Sequence, residues 1–68
     1  MSEVVKVIEI SAQSSKGFDH AVSSGLKKVA KSVKNIKGAW VNEMKVLTAP
    51  DGTITHWRVN MRVSFVVE

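Results

Sequence analysis

Cysteine is absent from this chain of 68 residues, tyrosine is absent too, proline occurs once, and the four glycines are scattered. Without cysteine there is no disulfide, which fits a reducing compartment. A structural zinc site would have no thiolates and only His20 and His56 to draw on, so it is not expected. Scattered glycines exclude a glycine-rich phosphate loop. No run approaches the ~20 apolar residues of a membrane span. The opening "MSEVVKVIEI" lacks the charged-then-apolar order of a secretion signal. The expectation is a cytoplasmic protein with no membrane partner. Acidic residues are also few: Glu3, Glu9, Asp19, Glu43, Asp51 and Glu68 form no local pair with acid–base spacing. No serine sits in a nucleophile elbow, and a lone histidine is seldom a catalyst. The chain reads as a non-enzyme.

What is present is small and basic. Residues 1–68 make one domain, near the lower limit for a self-sufficient core. Chains this short draw on disulfides, a metal or self-association. With the first two set aside, self-association is expected. The net charge is +4 and the pI about 9.8, which suits anionic ligands without being specific for nucleic acid.

Hydropathy patterning gives β-α-β-β. "VVKVIEISA", residues 4–12, is dense in β-branched residues and alternates as a strand, with both faces partly apolar. Ser14 or Ser15 is placed to cap a helix amide. Phe18, Val22, Gly25, Leu26, Val29, Val33 and Ile36 make one apolar stripe and predict a helix from about Phe18 to Ile36. Asp19 lies at the positive end of its dipole and the lysines toward the other. Gly25 costs about 1 kcal/mol of helix propensity, and its place beside the stripe implies close approach of a neighbour. Gly38 is expected as a left-handed cap. A strand follows from about Ala39 to Thr48. "APDGT" then turns the chain, with Pro50 fixing one dihedral and Gly52 supplying positive φ. The last strand runs from Ile54 to the carboxyl terminus. In it Trp57, Val59, Met61, Val63, Phe65 and Val67 alternate with Arg58, Asn60, Arg62, Ser64 and Val66. At ~3.3 Å per residue this strand is ~50 Å long, against ~28 Å for the helix. It must curl around the helix and overrun its neighbours, leaving backbone groups for another chain to pair.

Two tryptophans carry the functional question. Trp57 follows the core alternation. Trp40 begins a strand in a row with Asn42 and Met44, while Ala39, Val41 and Glu43 take the other face. Arg58, Asn60 and Arg62 supply polar groups opposite the core. A flat heteroaromatic ligand needs a stacking surface and hydrogen-bonding groups at its rim. Lys27, Lys28, Lys31 and Lys34 could grip phosphates of a nucleic acid. However, no aromatic residue stands among them as a single-strand binder requires, and a solvated helix face is the plainer reading.

Three segments, "KVIEISAQSSKGFDHAV", "AKSVKNIKGAWVNE" and "ITHWRVNMRVSFVVE", resemble the dodecin family in order, spacing and total length. The resemblance implies an α+β fold in which a three-stranded antiparallel sheet wraps one helix. It also implies a hollow homododecamer with sheets inside and helices outside. Family members store flavin (riboflavin, FMN or FAD) in pairs at subunit interfaces, each ring stacked on a tryptophan and hydrogen-bonded by a glutamine. Transferred here, Trp40 stacks, Arg58 occupies the glutamine position at the ring edge, and Asn42 and Arg62 make polar or phosphate contacts. Counting back from the hairpin without gaps puts the tryptophan position on Ala39, so a one-residue shift or bulge is needed to bring Trp40 to the ligand face. Arginine carries donors only, so Arg58 could serve ring carbonyls but accept nothing. The alternatives are a shell without flavin, in which Glu43 or Glu9 meets a metal ion, and a nucleic-acid binder acting through the helix lysines.

Overall fold

The computed structural model describes residues 3–67 and has four elements: β1 (Val4–Ser14), α1 (Phe18–Val29), β2 (Ile36–Thr48) and β3 (Ile54–Val67). The strands form one antiparallel sheet in the order β1-β3-β2. The chain therefore leaves β1, passes through the helix, and enters β2 on the far side of a central β3. The expected β-α-β-β order is observed, and Glu68, assigned to the last strand from sequence, lies outside the described residues.

Register resolves the ambiguity of β1. Ile8, Ile10 and Ala12 stand opposite Val63, Met61 and Val59, while Glu9, Ser11 and Gln13 stand opposite Arg62, Asn60 and Arg58. Cross-strand partners share a face, so the first set meets the helix. Ala21, Val59 and Met61 are fully buried there, with Ile10, Ala12, Phe18, Val22 and Leu26 packed around them. Gly25 is the point of closest approach. A Cβ built on it would lie 2.8 Å from the Cβ of Ala12 and 3.3 Å from the Cε of Met61.

The helix is shorter than its stripe implies. It ends at Val29, whose carbonyl accepts from both Ser32 and Val33, and the chain reverses at Asn35 with φ 64°. Val33 and Ile36 are thus not helical, Ile36 opens β2, and Gly38 lies within that strand instead of capping the helix. The physical reason is the sheet order. The helix packs on β1 and β3, so residues 30–35 are needed to carry the chain across to β2. Periodicity persisted by coincidence past the helix end. At the other end the cap also differs from expectation. Gly17 occupies the N-cap position with no side-chain bond to the helix. Ser14 is 6% exposed, accepts the amide of Lys16 at 2.9 Å and lies 2.6 Å from Nδ1 of His20, tying the end of β1 to the helix.

The hairpin between β2 and β3 is a turn with Pro50 at its second position. Gly52 N–H reaches the carbonyl of Ala49 at 2.9 Å, and Gly52 has φ 89°, a conformation that suits a residue without Cβ. Asp51 Oδ1 accepts the amide of Thr53 at 2.9 Å. That bond holds the Asp51 carboxyl below its ordinary range.

Candidate functional site

A β-bulge decides which face carries Trp40. Val41 pairs with Met61 but Glu43 pairs with Asn60, so Asn42 is the additional residue in β2. A bulge of this kind reverses the alternation on its far side. Trp40 therefore stands opposite Arg62 on the face away from the helix, and Glu43 and Lys45 share that face opposite Asn60 and Arg58. Met44, placed by alternation in one row with Trp40, instead pairs with Val59 on the helix side. Strict alternation fails here because one unpaired residue shifts every later side chain.

The polar face is organised as three rows across the sheet, each centred on β3. In the first, Arg62 lies between Trp40 of β2 and Glu9 of β1, with Nε of Arg62 3.6 Å from Oε2 of Glu9. Both partners of that ion pair are well exposed, so it is worth little. The indole is 59% exposed and lines a hollow with Val7, Asn42 and Arg62. In the second row Asn60 bridges β1 and β2: Ser11 Oγ donates to Asn60 Oδ1, and Asn60 Nδ2 donates to Glu43 Oε1 at 2.8 Å. In the third, Arg58 donates through Nε and Nη2 to Gln13 Oε1 at 3.0 and 2.7 Å, and Lys45 faces it from β2.

Three of the four residues singled out from sequence come together: Trp40, Asn42 and Arg62 line one hollow. Arg58 does not join them. Four residues of β3 separate it from Arg62, or ~14 Å at ~3.4 Å per residue. Within one chain the group across from Trp40 is Arg62, and Arg58 belongs to the row of Gln13 and Lys45. Lys45 was missed from sequence, where its one signal was a place near Arg58 in the hairpin. Counting back without gaps sets Met44 opposite Arg58, and the register shift between Leu47 and Thr48 puts Lys45 there instead. Gln13 had no such signal, because its pairing depends on β1 lying beside β3.

The arrangement offers what a planar ring needs on one side: an open indole, a guanidinium that can donate to ring oxygens, and the Asn42 amide at the rim. The ring's other face would still be bare, so a single chain supplies half of a sandwich. For a metal ion the provision is thinner. Glu9 is paired with Arg62 and Glu43 with Asn60, and among the described residues no three His, Asp or Glu side chains gather to hold one. The lysine stripe is also broken, since Lys31 and Lys34 lie beyond the helix that carries Lys27 and Lys28. No helix among the described residues is long and apolar enough to cross a membrane.

Comparison with known proteins agrees with this architecture. A family model described as Dodecin matches residues 4–68. The chain is similar to the dodecin from Streptomyces davaonensis, with TM-score 0.93 and 28% identity over 100% of this chain and 98% of that one. It is also similar to a Mycobacterium tuberculosis protein described as a calcium-chelating immunodominant antigen, calcium dodecin, with a novel calcium-binding site. The TM-score there is 0.81 and the identity 29%, over 96% of this chain and 91% of that one. A Thermus thermophilus structure shares the fold, with TM-score 0.90 at 22% identity over 98% and 97%. No curated protein matches the chain.

Proposed function

This chain belongs to the dodecin family, and from that premise we propose that it binds and stores a flavin, without turnover, at the interfaces of a homo-oligomer of twelve copies. One observation carries the reading. Trp40 is a large apolar side chain 59% exposed on a polar face, beside a guanidinium. An indole so placed leaves more than half of its surface in water in the single chain. Stacked on an isoalloxazine ring it would bury that surface and add about 0.5–1.5 kcal/mol beyond area burial. In this reading Trp40 stacks, Arg62 donates to a ring carbonyl, Asn42 takes a polar group at the rim, and a second ligand and the Trp40 of another copy complete the sandwich. Arg58 stands too far along β3 to serve the same ring within one chain.

Titration of riboflavin against the assembled protein, followed by flavin fluorescence, tests the reading. Wild type should quench, and Trp40→Ala should lose most of the quenching and weaken affinity about tenfold or more. If wild type leaves saturating flavin fully fluorescent, the proposal fails. A second reading is a divalent cation, favoured by Glu43 and Glu9 standing on the same face and by the calcium-chelating relative. Among the described residues paired on this face, one chain offers these two carboxylates, where calcium takes about 6–8 oxygens, so such a site would also need several copies. Calcium that stabilises wild type but not Glu43→Gln would support it.

A further inference from the structure

Two cations face each other on neighbouring strands, and among the described residues no carboxylate is bonded to either. Lys45 of β2 stands directly opposite Arg58 of β3, and the partner of Arg58 is the neutral amide oxygen of Gln13. Among the described residues the single ion pair is elsewhere, between Arg62 and Glu9. Like charges directly opposite in a sheet are destabilising. The row therefore carries a local cost that the fold itself does not need. Gln13 consumes Nε and one hydrogen of Nη2, which orients the guanidinium and leaves Nη1 and the other Nη2 hydrogen to donate. The hollow above this row is lined by Ser11, Glu43, Met44, Lys45, Arg58 and Asn60. Two cations there stand against one carboxylate, and that carboxylate accepts from Asn60.

We propose that Lys45 and Arg58 form a seat for a phosphate group, and that it selects a phosphorylated flavin over the bare one. The second half rests on the flavin reading above; the seat itself does not. Arginine offers a planar fork and lysine a point charge, and both are donors suited to phosphate oxygens. The seat lies on the same face as Trp40, ~14 Å along β3 from the Arg62 row. That span is within the combined reach of an extended ribityl phosphate and the Lys45 and Arg58 side chains. The arginine that stands at the family's glutamine position thus changes task, from the ring edge to the tail, while Arg62 takes the edge.

The test compares riboflavin with FMN on the assembled protein, by fluorescence titration at low and high salt. Wild type should bind FMN about tenfold or more tightly than riboflavin, as charge-assisted hydrogen bonds to phosphate imply, and added salt should shrink the difference. Lys45→Gln should weaken FMN far more than riboflavin. It should also raise the melting temperature of the ligand-free protein, because it removes the facing charge. Equal affinity of wild type for the two flavins overturns the seat while leaving the flavin reading intact. So does an FMN preference that survives in Lys45→Gln, or an Arg58→Gln variant that loses both flavins equally. If neither flavin quenches, the flavin reading fails, and inorganic phosphate decides the seat alone. Phosphate that raises the melting temperature of wild type more than that of Lys45→Gln supports it, and an equal rise overturns it.

Discussion

Gly25 sets two opposing effects against each other, and magnitude decides between them. Replacing it with alanine recovers about 1 kcal/mol of helix propensity. The new Cβ would stand 2.8 Å from the Cβ of Ala12, however, and overpacking of this kind costs about 1–3 kcal/mol. Both partners are on backbone that cannot easily yield, so the clash should win. Gly25→Ala should lower the denaturation midpoint by chemical unfolding, and Ala12→Gly in the same chain should restore much of the loss. A stabilised single mutant would show that the helix can lift from β1 freely. The sequence marks Gly25 as a point of close approach by its place beside the apolar stripe, but Ala12 is not legible as the partner. Ala12 shares β1 with apolar residues on both faces, and only pairing with β3 assigns it to the helix side. Trp40 follows the same logic. The sequence shows that a bulge is required to turn the indole, and the bulge at Asn42 is visible only once Val41 and Glu43 are seen to flank it in register.

Elements carry the next two predictions. Because Asn42 is the extra residue, deleting it should return β2 to strict alternation. Trp40 would then keep its place opposite Arg62, because Val41 already pairs with Met61 and Glu43 with Asn60, and flavin quenching should survive while far-ultraviolet circular dichroism stays close to wild type. Quenching lost by the deletion would mean that the Asn42 amide, and not the indole alone, holds the ligand in that hollow. The hairpin supplies a pH dependence. The amide of Thr53 lowers the Asp51 carboxyl from an ordinary value of 3.8. A carboxyl lowered on folding stabilises the fold above its unfolded value, and the contribution is lost as pH falls through the lower folded one. Thermal melts between about pH 5 and pH 2 should therefore show a drop that Asp51→Asn reduces. Asp51 is exposed, so the effect is small. This turn was fully legible, since Pro50 and Gly52 act through local backbone geometry. The end of α1 was not, because what stops the helix is the distance to β2, a property of strand order that no local window contains.

The whole chain measures 55 × 20 × 14 Å and exposes 5059 Å² for 7.5 kDa. A folded monomer of that mass is expected to expose about 4200 Å². The excess, ~800 Å², is the share one partner contributes to a stable interface of ordinary size. Its position is readable from the register. Val41, Met44 and Val46 lie on the helix side of β2, yet the helix covers β1 and β3, and these three remain 44%, 59% and 38% exposed. β2 is also an edge strand, with backbone groups open to pairing. Among the described residues the fully buried apolar side chains are Ala21, Val59, Met61 and Val63, a core too small to offset the chain entropy of so extended a sheet. Assembly and folding should therefore be one event. Light scattering at micromolar concentration should give the mass of about twelve chains, and dilution should lose mass and secondary structure together. Met44→Asp, which sets a charge in the bare apolar face, should abolish both. Replacing Lys27 and Lys31 with glutamine should change neither, unless the lysines grip nucleic acid, in which case salt-sensitive DNA binding would disappear with them. A wild-type monomer that remains folded on dilution would leave the exposed face of β2 without a purpose in self-association, and would separate the dodecin fold of this chain from the assembly proposed for it.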